Sequence, residues 1–348
     1  MFRLLSLLAL AVGATGVVWV GASHLEDAAD RLATYYGLPA VVQGAVVAAV
    51  GSSFPELSST TLAVVLHGEF ELGVAAIVGS AVFNVLVIPA ASTLAAPGSL
   101  GANRDLVYKE AQFYMLAVAT LLVTFAFAAI YNPVLDTPGV IRGHLTRALA
   151  LIPIALYGLY VFIQAQDTRD QRTAVDTTGV SATKQWAILV GSLALILVGV
   201  EGLVRAALAL GTYFGTSPFL WGLTVIAAGT SLPDALVSVR AARGENGDGG
   251  GPEGDAVSLA NVFGSNVFDL LVAVPAGVLL AGTTVVNFSR AVPMFAFLVG
   301  ATVIVFTAMR TELALSRHEA GLLLAIYVGF VVWMVAESTG ATNVVLTG

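Results

Sequence analysis

Long apolar stretches broken by short polar ones dominate this chain from end to end. Stretches able to cross roughly 30 Å of hydrocarbon as helices fall near residues 4–32, 38–66, 70–96, 104–131, 144–166, 185–212, 217–243, 256–282, 290–309 and 317–337. The pattern predicts an all-α integral membrane protein of ten transmembrane helices. The one long polar connection carries Asp167, Arg169, Asp170, Arg172 and Asp176. It divides the chain into a first membrane unit, 1–166, a linker, 167–184, and a second membrane unit, 185–348.

The two units repeat each other. Adding 178 to a residue number carries Gly21 to Gly199, Thr34-Tyr35-Tyr36-Gly37 to Thr212-Tyr213-Phe214-Gly215, Gly44 to Gly222 and Glu56 to Asp234. Adding 185 carries Ser80 to Ser265 and Asn84 to Asp269, the extra residues falling in the Gly-rich stretch Gly244–Asp255. That stretch reads as a flexible, solvated loop, without the ordered ligand spacing of an EF-hand. Five spans per unit is an odd number, so the second copy enters the membrane from the opposite face and the repeats are inverted.

Composition agrees with the spans. The chain of 348 residues is 57% hydrophobic and 11% charged, with a mean hydropathy of +0.90. No soluble surface of ordinary charge density can be built from it. It has no cysteine, which excludes disulfides and thiolate metal sites. Met1–Val20 has the apolar core of a signal peptide, but the apolar pattern resumes at once and the segment has a counterpart later in the chain. It reads as a retained first span.

The strongest chemical signal is a doubled motif. Gly51-Ser52-Ser53-Phe54-Pro55-Glu56 returns as Gly229-Thr230-Ser231-Leu232-Pro233-Asp234, and Gly79-Ser80-Ala81-Val82-Phe83-Asn84 returns as Gly264-Ser265-Asn266-Val267-Phe268-Asp269. Carboxylates inside hydrocarbon are costly and usually functional. Matching interrupted helices in two halves of a hydrophobic chain point to a transporter's midplane site. Pro55 and Pro233 lack an N–H and should open their helices, freeing carbonyls near Ala49–Ser52 and Ala227–Thr230. Ser53 and Glu56, like Ser231 and Asp234, stand three apart; Ser80 and Asn84, like Ser265 and Asp269, stand four apart. Each pair shares a helix face. Carboxylate, amide, hydroxyl and carbonyl oxygens, with no imidazole or thiolate, suit a hard cation such as Ca²⁺. The expected activity is cation transport.

These segments closely resemble the alpha repeats of the cation/calcium exchanger superfamily, whose members swap Ca²⁺ for Na⁺ by alternating access. The resemblance covers most of the chain. It implies that Glu56 and Asp234 are central Ca²⁺ ligands and that Ser52, Ser53, Thr230 and Ser231 supply the motif hydroxyls. Ser80, Ser265, Asn84 and Asp269 supply the second-helix ligands, and carbonyls at Ala49 and Ala227 help bind Na⁺. Within the superfamily the motifs look most like the K⁺-dependent Na⁺/Ca²⁺ exchangers, in which the group matching Asp269 is tied to K⁺. Ser52 stands where threonine is commoner, and Asp234 is shorter than the usual glutamate. The resemblance implies an antiporter rather than an enzyme, with transported ions and no cofactor. Its partners are the bilayer and the cations, not nucleic acid.

Basic residues orient the chain. Arg31, Arg104, Lys109, Arg169, Arg172, Lys184, Arg240, Arg243, Arg310 and Arg317 fall on one side, with Arg3, Arg142, Arg147 and Arg290 on the other. The positive-inside rule puts the linker in the cytoplasm and both termini outside the plasma membrane. Glu201 and Arg205, four apart, read as an internal pair, and the four histidines as interfacial. Three rival activities follow from the same acids: a proton-coupled Ca²⁺ exchanger, a passive cation channel and, furthest off, an intramembrane hydrolase. The last is disfavoured because His-Glu-x-x-His is absent.

Overall fold

The computed structural model describes residues 2–37, 49–96, 98–101, 109–136, 138–167, 181–244, 259, 262–310, 313–338 and 341–342. Most of the linker, most of the Gly-rich loop and the beginnings of the second, fourth and eighth predicted spans lie outside the described residues.

Helices dominate. The first unit contains α1 (Phe2–Tyr35), α2 (Ala49–Ser52), α3 (Phe54–His67), α4 (Phe70–Ala95), α5 (Ala111–Tyr131) and α6 (Arg147–Asp167). The second contains α7 (Ala182–Phe214), α8 (Pro218–Ala242), α9 (Val262–Ala281), α10 (Phe288–Arg310) and α11 (Arg317–Ser338). Among the described residues nine helices are long and apolar enough to cross a membrane. The remaining predicted span, 38–66, is represented by α2 and α3, which meet at a turn at Ser53.

Five short strands were not expected from the sequence, and they report the topology. β1 (Leu100–Gly101) follows α4, β2 (Pro133–Val134) and β3 (Arg142–Leu145) follow α5, β4 (Thr284–Asn287) follows α9, and β5 (Ala314–Leu315) follows α10. β2, β3 and β4 form one antiparallel sheet, with Arg142 opposite Asn287 and Leu145 opposite Thr284. β1 pairs with β5, Leu100 opposite Leu315. If each span crosses once, β2, β3 and β4 lie on one face of the bilayer and β1 and β5 on the linker face. The observed pairing obeys that rule. The two ladders also exchange under the repeat operation, since β1 matches β4 and β3 matches β5 in position within each unit. Each joins one repeat to the other.

Small residues set the packing, as expected where lipid removes any hydrophobic preference between helices. α1 and α7 form the most extensive helix pair. A Cβ on Gly21 would sit 2.7 Å from Ile196 Cγ1, and one on Gly199 would sit 2.9 Å from the Val18 nitrogen. The repeat-related glycines are thus the mutual contact of the repeat-related helices. α4 and α8 meet as closely, since a Cβ on Gly222 would lie 2.6 Å from the Leu72 carbonyl oxygen and one on Gly79 would collide with the Leu223 carbonyl.

Burial separates core from periphery. The apolar windows of α4 and α9 are 83% and 78% buried, against 22% for α1 and α11 and 17% for α6. The two central helices are those carrying the second motif. α9 widens into a π-helical turn at Asp269–Ala273, where Pro275 cannot donate to the Leu271 carbonyl.

Candidate cation site

The doubled motif converges where α3 and α4 of the first unit meet α8 and α9 of the second. Ser52 ends α2, Ser53 occupies the turn and Glu56 lies in the first turn of α3. Ser80 and Asn84 lie on α4; Ala227, Thr230, Ser231 and Asp234 on α8; Ser265 and Asp269 on α9. All are buried, none more than 2% exposed. Ala49 begins α2, and its side chain lies outside the described residues.

The two prolines act differently. In the first unit the helix breaks at Ser53, just before Pro55, as the sequence predicts. In the second, α8 runs through Pro233 without a break, and its irregularity is a π-helical turn upstream at Gly222–Ile226. The expected opening at Ala227–Thr230 is therefore not seen. The Thr230 hydroxyl donates back to the Ile226 carbonyl at 3.1 Å and the Ala227 carbonyl at 3.3 Å. Missing N–H groups at Pro55 and Pro233 still leave the carbonyls four residues back, Gly51 and Gly229, without their helical donors.

Hydroxyls stitch the repeats together. Ser80 Oγ lies 2.6 Å from Ser231 Oγ, and both reach Glu56 Oε1, at 3.4 and 3.5 Å. Ser53 Oγ donates to the Ser265 carbonyl at 3.4 Å, while Ser265 Oγ donates to the Val262 carbonyl at 3.0 Å. Ser59 and Thr60 donate to the Glu56 carbonyl at 2.8 and 3.4 Å, the back-bonding expected of that run.

Six buried oxygens have no hydrogen-bond partner of good geometry: Glu56 Oε2, Asn84 Oδ1, and both carboxylate oxygens of Asp234 and of Asp269. Ser265 lies beside Asp234 and Ser53 beside Asp269, but both hydroxyls donate to backbone carbonyls. Such orphans are rare in folded proteins, and each normally has an explanation. All are acceptors. The three acids stand within electrostatic reach of one another, Glu56 acting on both aspartates and Asp234 on Asp269. No cation among the described ion pairs neutralises them. Among the described residues no three His, Cys, Asp or Glu side chains stand close enough to hold a metal ion unaided. Any cation held here would need the amide and hydroxyl oxygens as well as the acids, and such a donor set suits a hard cation.

A family model described as "Sodium/calcium exchanger protein" matches residues 6–166 and 184–336. The chain belongs to the sodium/calcium exchanger family. It is a multi-pass cation/Ca²⁺ antiporter, not an enzyme. It is 29% identical over 282 residues to the inner membrane protein YrbG of Escherichia coli (strain K12), covering 80% of each chain. A stretch of 99 residues is 37% identical to sodium/potassium/calcium exchanger 2 of Mus musculus, covering 28% of this chain and 14% of that protein. The fold is that of the sodium-calcium exchanger NCX_Mj in a structure soaked with Na⁺ and Sr²⁺, with a TM-score of 0.61 at 21% identity over 93% of this chain and 97% of that one.

Two features of the candidate site were not singled out from the sequence. Asn266 on α9 accepts from Asn84 Nδ2 at 2.9 Å and reaches the Ala81 carbonyl through its own Nδ2 at 3.5 Å. With its amide nitrogen so held, Asn84 keeps its carbonyl oxygen free. The sequence signal was present, because Asn266 lies inside the repeated motif where the first copy has Ala81. Tyr114 of α5 has a fully buried hydroxyl beside Asn266, Asp269 and Thr302. It is an isolated aromatic in an apolar span, and spacing offers no way to single it out.

Proposed function

We propose that this exchanger moves Ca²⁺ against Na⁺ by alternating access, using one central site shared by the two repeats. Glu56 and Asp234 would be the principal ligands, with Asn84 and Asp269 beside them. Hydroxyls of Ser52, Ser53, Ser80, Thr230, Ser231 and Ser265 and carbonyls near Ala49 and Ala227 would complete the shell. The observation that carries this reading is the set of six unpartnered buried oxygens at the junction of the repeats. Water is the natural partner of bare carboxylates, and a buried acid without one is stabilised by a cation or a proton.

Charge balance supplies the exchange. Three carboxylates hold up to three negative charges, which one Ca²⁺ or two to three Na⁺ offset to a similar degree. Either load lowers the cost of burying the site, whereas the empty, fully ionised site is the expensive state. Reorientation is thereby favoured with ions bound and disfavoured without them. The α1–α7 pair, peripheral and packed through Gly21 and Gly199, is the element that would slide against the core formed by α3, α4, α8 and α9. The units 1–166 and 185–348 act as the two inverted halves, and 167–184 as a cytoplasmic linker in a plasma membrane with both termini outside. The partial likeness to a sodium/potassium/calcium exchanger supports K⁺ as a third candidate ion, with Asp269 as its ligand.

The test is Ca²⁺ uptake into proteoliposomes, with Na⁺, K⁺ and pH gradients imposed one at a time. Uptake should require an outward Na⁺ gradient. Uptake driven by a pH gradient without Na⁺ would replace Na⁺ by H⁺ as the coupling ion, and flux with no counter-ion would make the protein a channel.

A further inference from the structure

Glu26 lies about two-thirds of the way along α1, in the apolar helix that packs on α2, α7 and α8. It is half-buried, and among the described residues it has no cationic partner. Its nearest charged neighbour in sequence, Asp27, is also acidic. A carboxylate without a cationic partner, on the packed side of a spanning helix near its linker end, invites a functional explanation.

Its surroundings suggest one. The side chain stem lies over Gly51, where a Cβ would be 3.8 Å from Glu26 Cγ. Gly51 is the residue whose carbonyl loses its helical donor at Pro55. The Glu26 charge also reaches Asp234, whose two carboxylate oxygens are unpartnered and whose side chain is 1% exposed. The span holding α2 and α3 runs away from the linker face, so Gly51 stands five residues nearer that face than Glu56. Glu26 therefore stands between the linker face and the central site. The repeat places Val204, an apolar and fully buried residue, at the matching position of α7. The acid is found in one half only.

We propose that Glu26 is a capture site for the transported cation on the linker side, holding Ca²⁺ beside the Gly51 carbonyl before it passes to Asp234 and Glu56. This rests on the exchanger reading above. Because Glu26 rides on α1, sliding of the α1–α7 pair would carry the carboxylate toward or away from Gly51. Capture would belong to one face of the membrane only.

The experiment measures half-saturating Ca²⁺ separately from the linker face and from the opposite face, in vesicles of defined orientation, for the wild type, Glu26→Gln and Glu26→Asp. Glu26→Gln should raise the linker-face value about 30-fold, the factor Coulomb's law gives for a divalent ion about 4 Å from one carboxylate in a water-like dielectric. The opposite-face value and the maximal rate should stay unchanged, and Glu26→Asp should restore most of the loss. An equal shift on both faces, or none, in an otherwise active exchanger overturns the capture site and leaves the central site standing. Absence of Ca²⁺ flux in the wild type would remove both. If Glu26→Gln does not accumulate as folded protein, a wild-type response from Glu26→Ala at the linker face overturns the proposal equally.

Discussion

Replacing Glu56 by Gln separates a transport ligand from a structural acid. Glu56 Oε1 accepts from Ser80 at 3.4 Å and from Ser231 at 3.5 Å, while Oε2 has no partner. Glutamine keeps the accepting oxygen and places an NH₂ where the bare oxygen was, so the stitching between repeats survives and the charge is lost. At about 4 Å and an effective dielectric of about 20, one pair of unit charges is worth about 4 kcal/mol, and a divalent ion roughly doubles that. Dehydration of the ion offsets much of the gain. If only about 3 kcal/mol remains, the affinity still falls more than 100-fold. Ca²⁺ at about 100 times the wild-type Kd should stabilise the folded protein by about 2.7 kcal/mol, and Glu56→Gln should lose nearly all of it. Without Ca²⁺ the variant should melt at or above the wild-type temperature, because one of three mutually repelling buried charges is gone. The assay is thermal unfolding in detergent with and without Ca²⁺, alongside uptake. A variant that melts earlier without Ca²⁺ yet keeps the Ca²⁺-induced shift would show that Glu56 holds helices together, and would refute the ligand assignment.

Other substitutions probe the supports of the site. Asn266→Ala frees the amide of Asn84, and should cost about 1–3 kcal/mol of stability and weaken Ca²⁺ binding; unchanged binding would show that Asn84 needs no orientation. Gly222→Ala puts a methyl 2.6 Å from the Leu72 carbonyl, and should cost about 1–3 kcal/mol through overpacking and slow transport; a wild-type melting temperature would mean that α4 and α8 separate freely. Glu201 accepts from Arg205 Nε at 2.6 Å and from His67 Nε2 at 3.1 Å, tying α7 to the end of α3. Glu201→Gln should loosen that tie, changing the turnover rate by a few fold with little effect on half-saturating Ca²⁺; an affinity change without a rate change would contradict this.

Apolar run length was enough to read the ten spans, and the constant offset paired Glu56 with Asp234 before any geometry was known. Both signals are local or strictly periodic. The strands were not legible, because segments of two to four residues between helices carry no pattern of their own and their pairing joins opposite ends of the chain, Leu100 with Leu315. The unequal behaviour of Pro55 and Pro233 was equally hidden, since both copies carry the same Pro-acid pattern and only the first breaks, at Ser53. His67, read as interfacial, has a partner 134 positions away. Glu26 lacks a repeat-related counterpart, and a search built on doubled motifs passes over it. Sequence symmetry finds what the two halves share and misses what only one half has.

The central claim is that two inverted repeats hold one ion between them. Equilibrium Ca²⁺ binding to the purified protein tests it most directly, using the wild type, Glu56→Gln, Asp234→Asn and the double variant. A shared site predicts one high-affinity Ca²⁺ per chain, lost in each single variant, with the double variant no worse than either single. Two independent sites, each removed by its own substitution while the other persists, would contradict it.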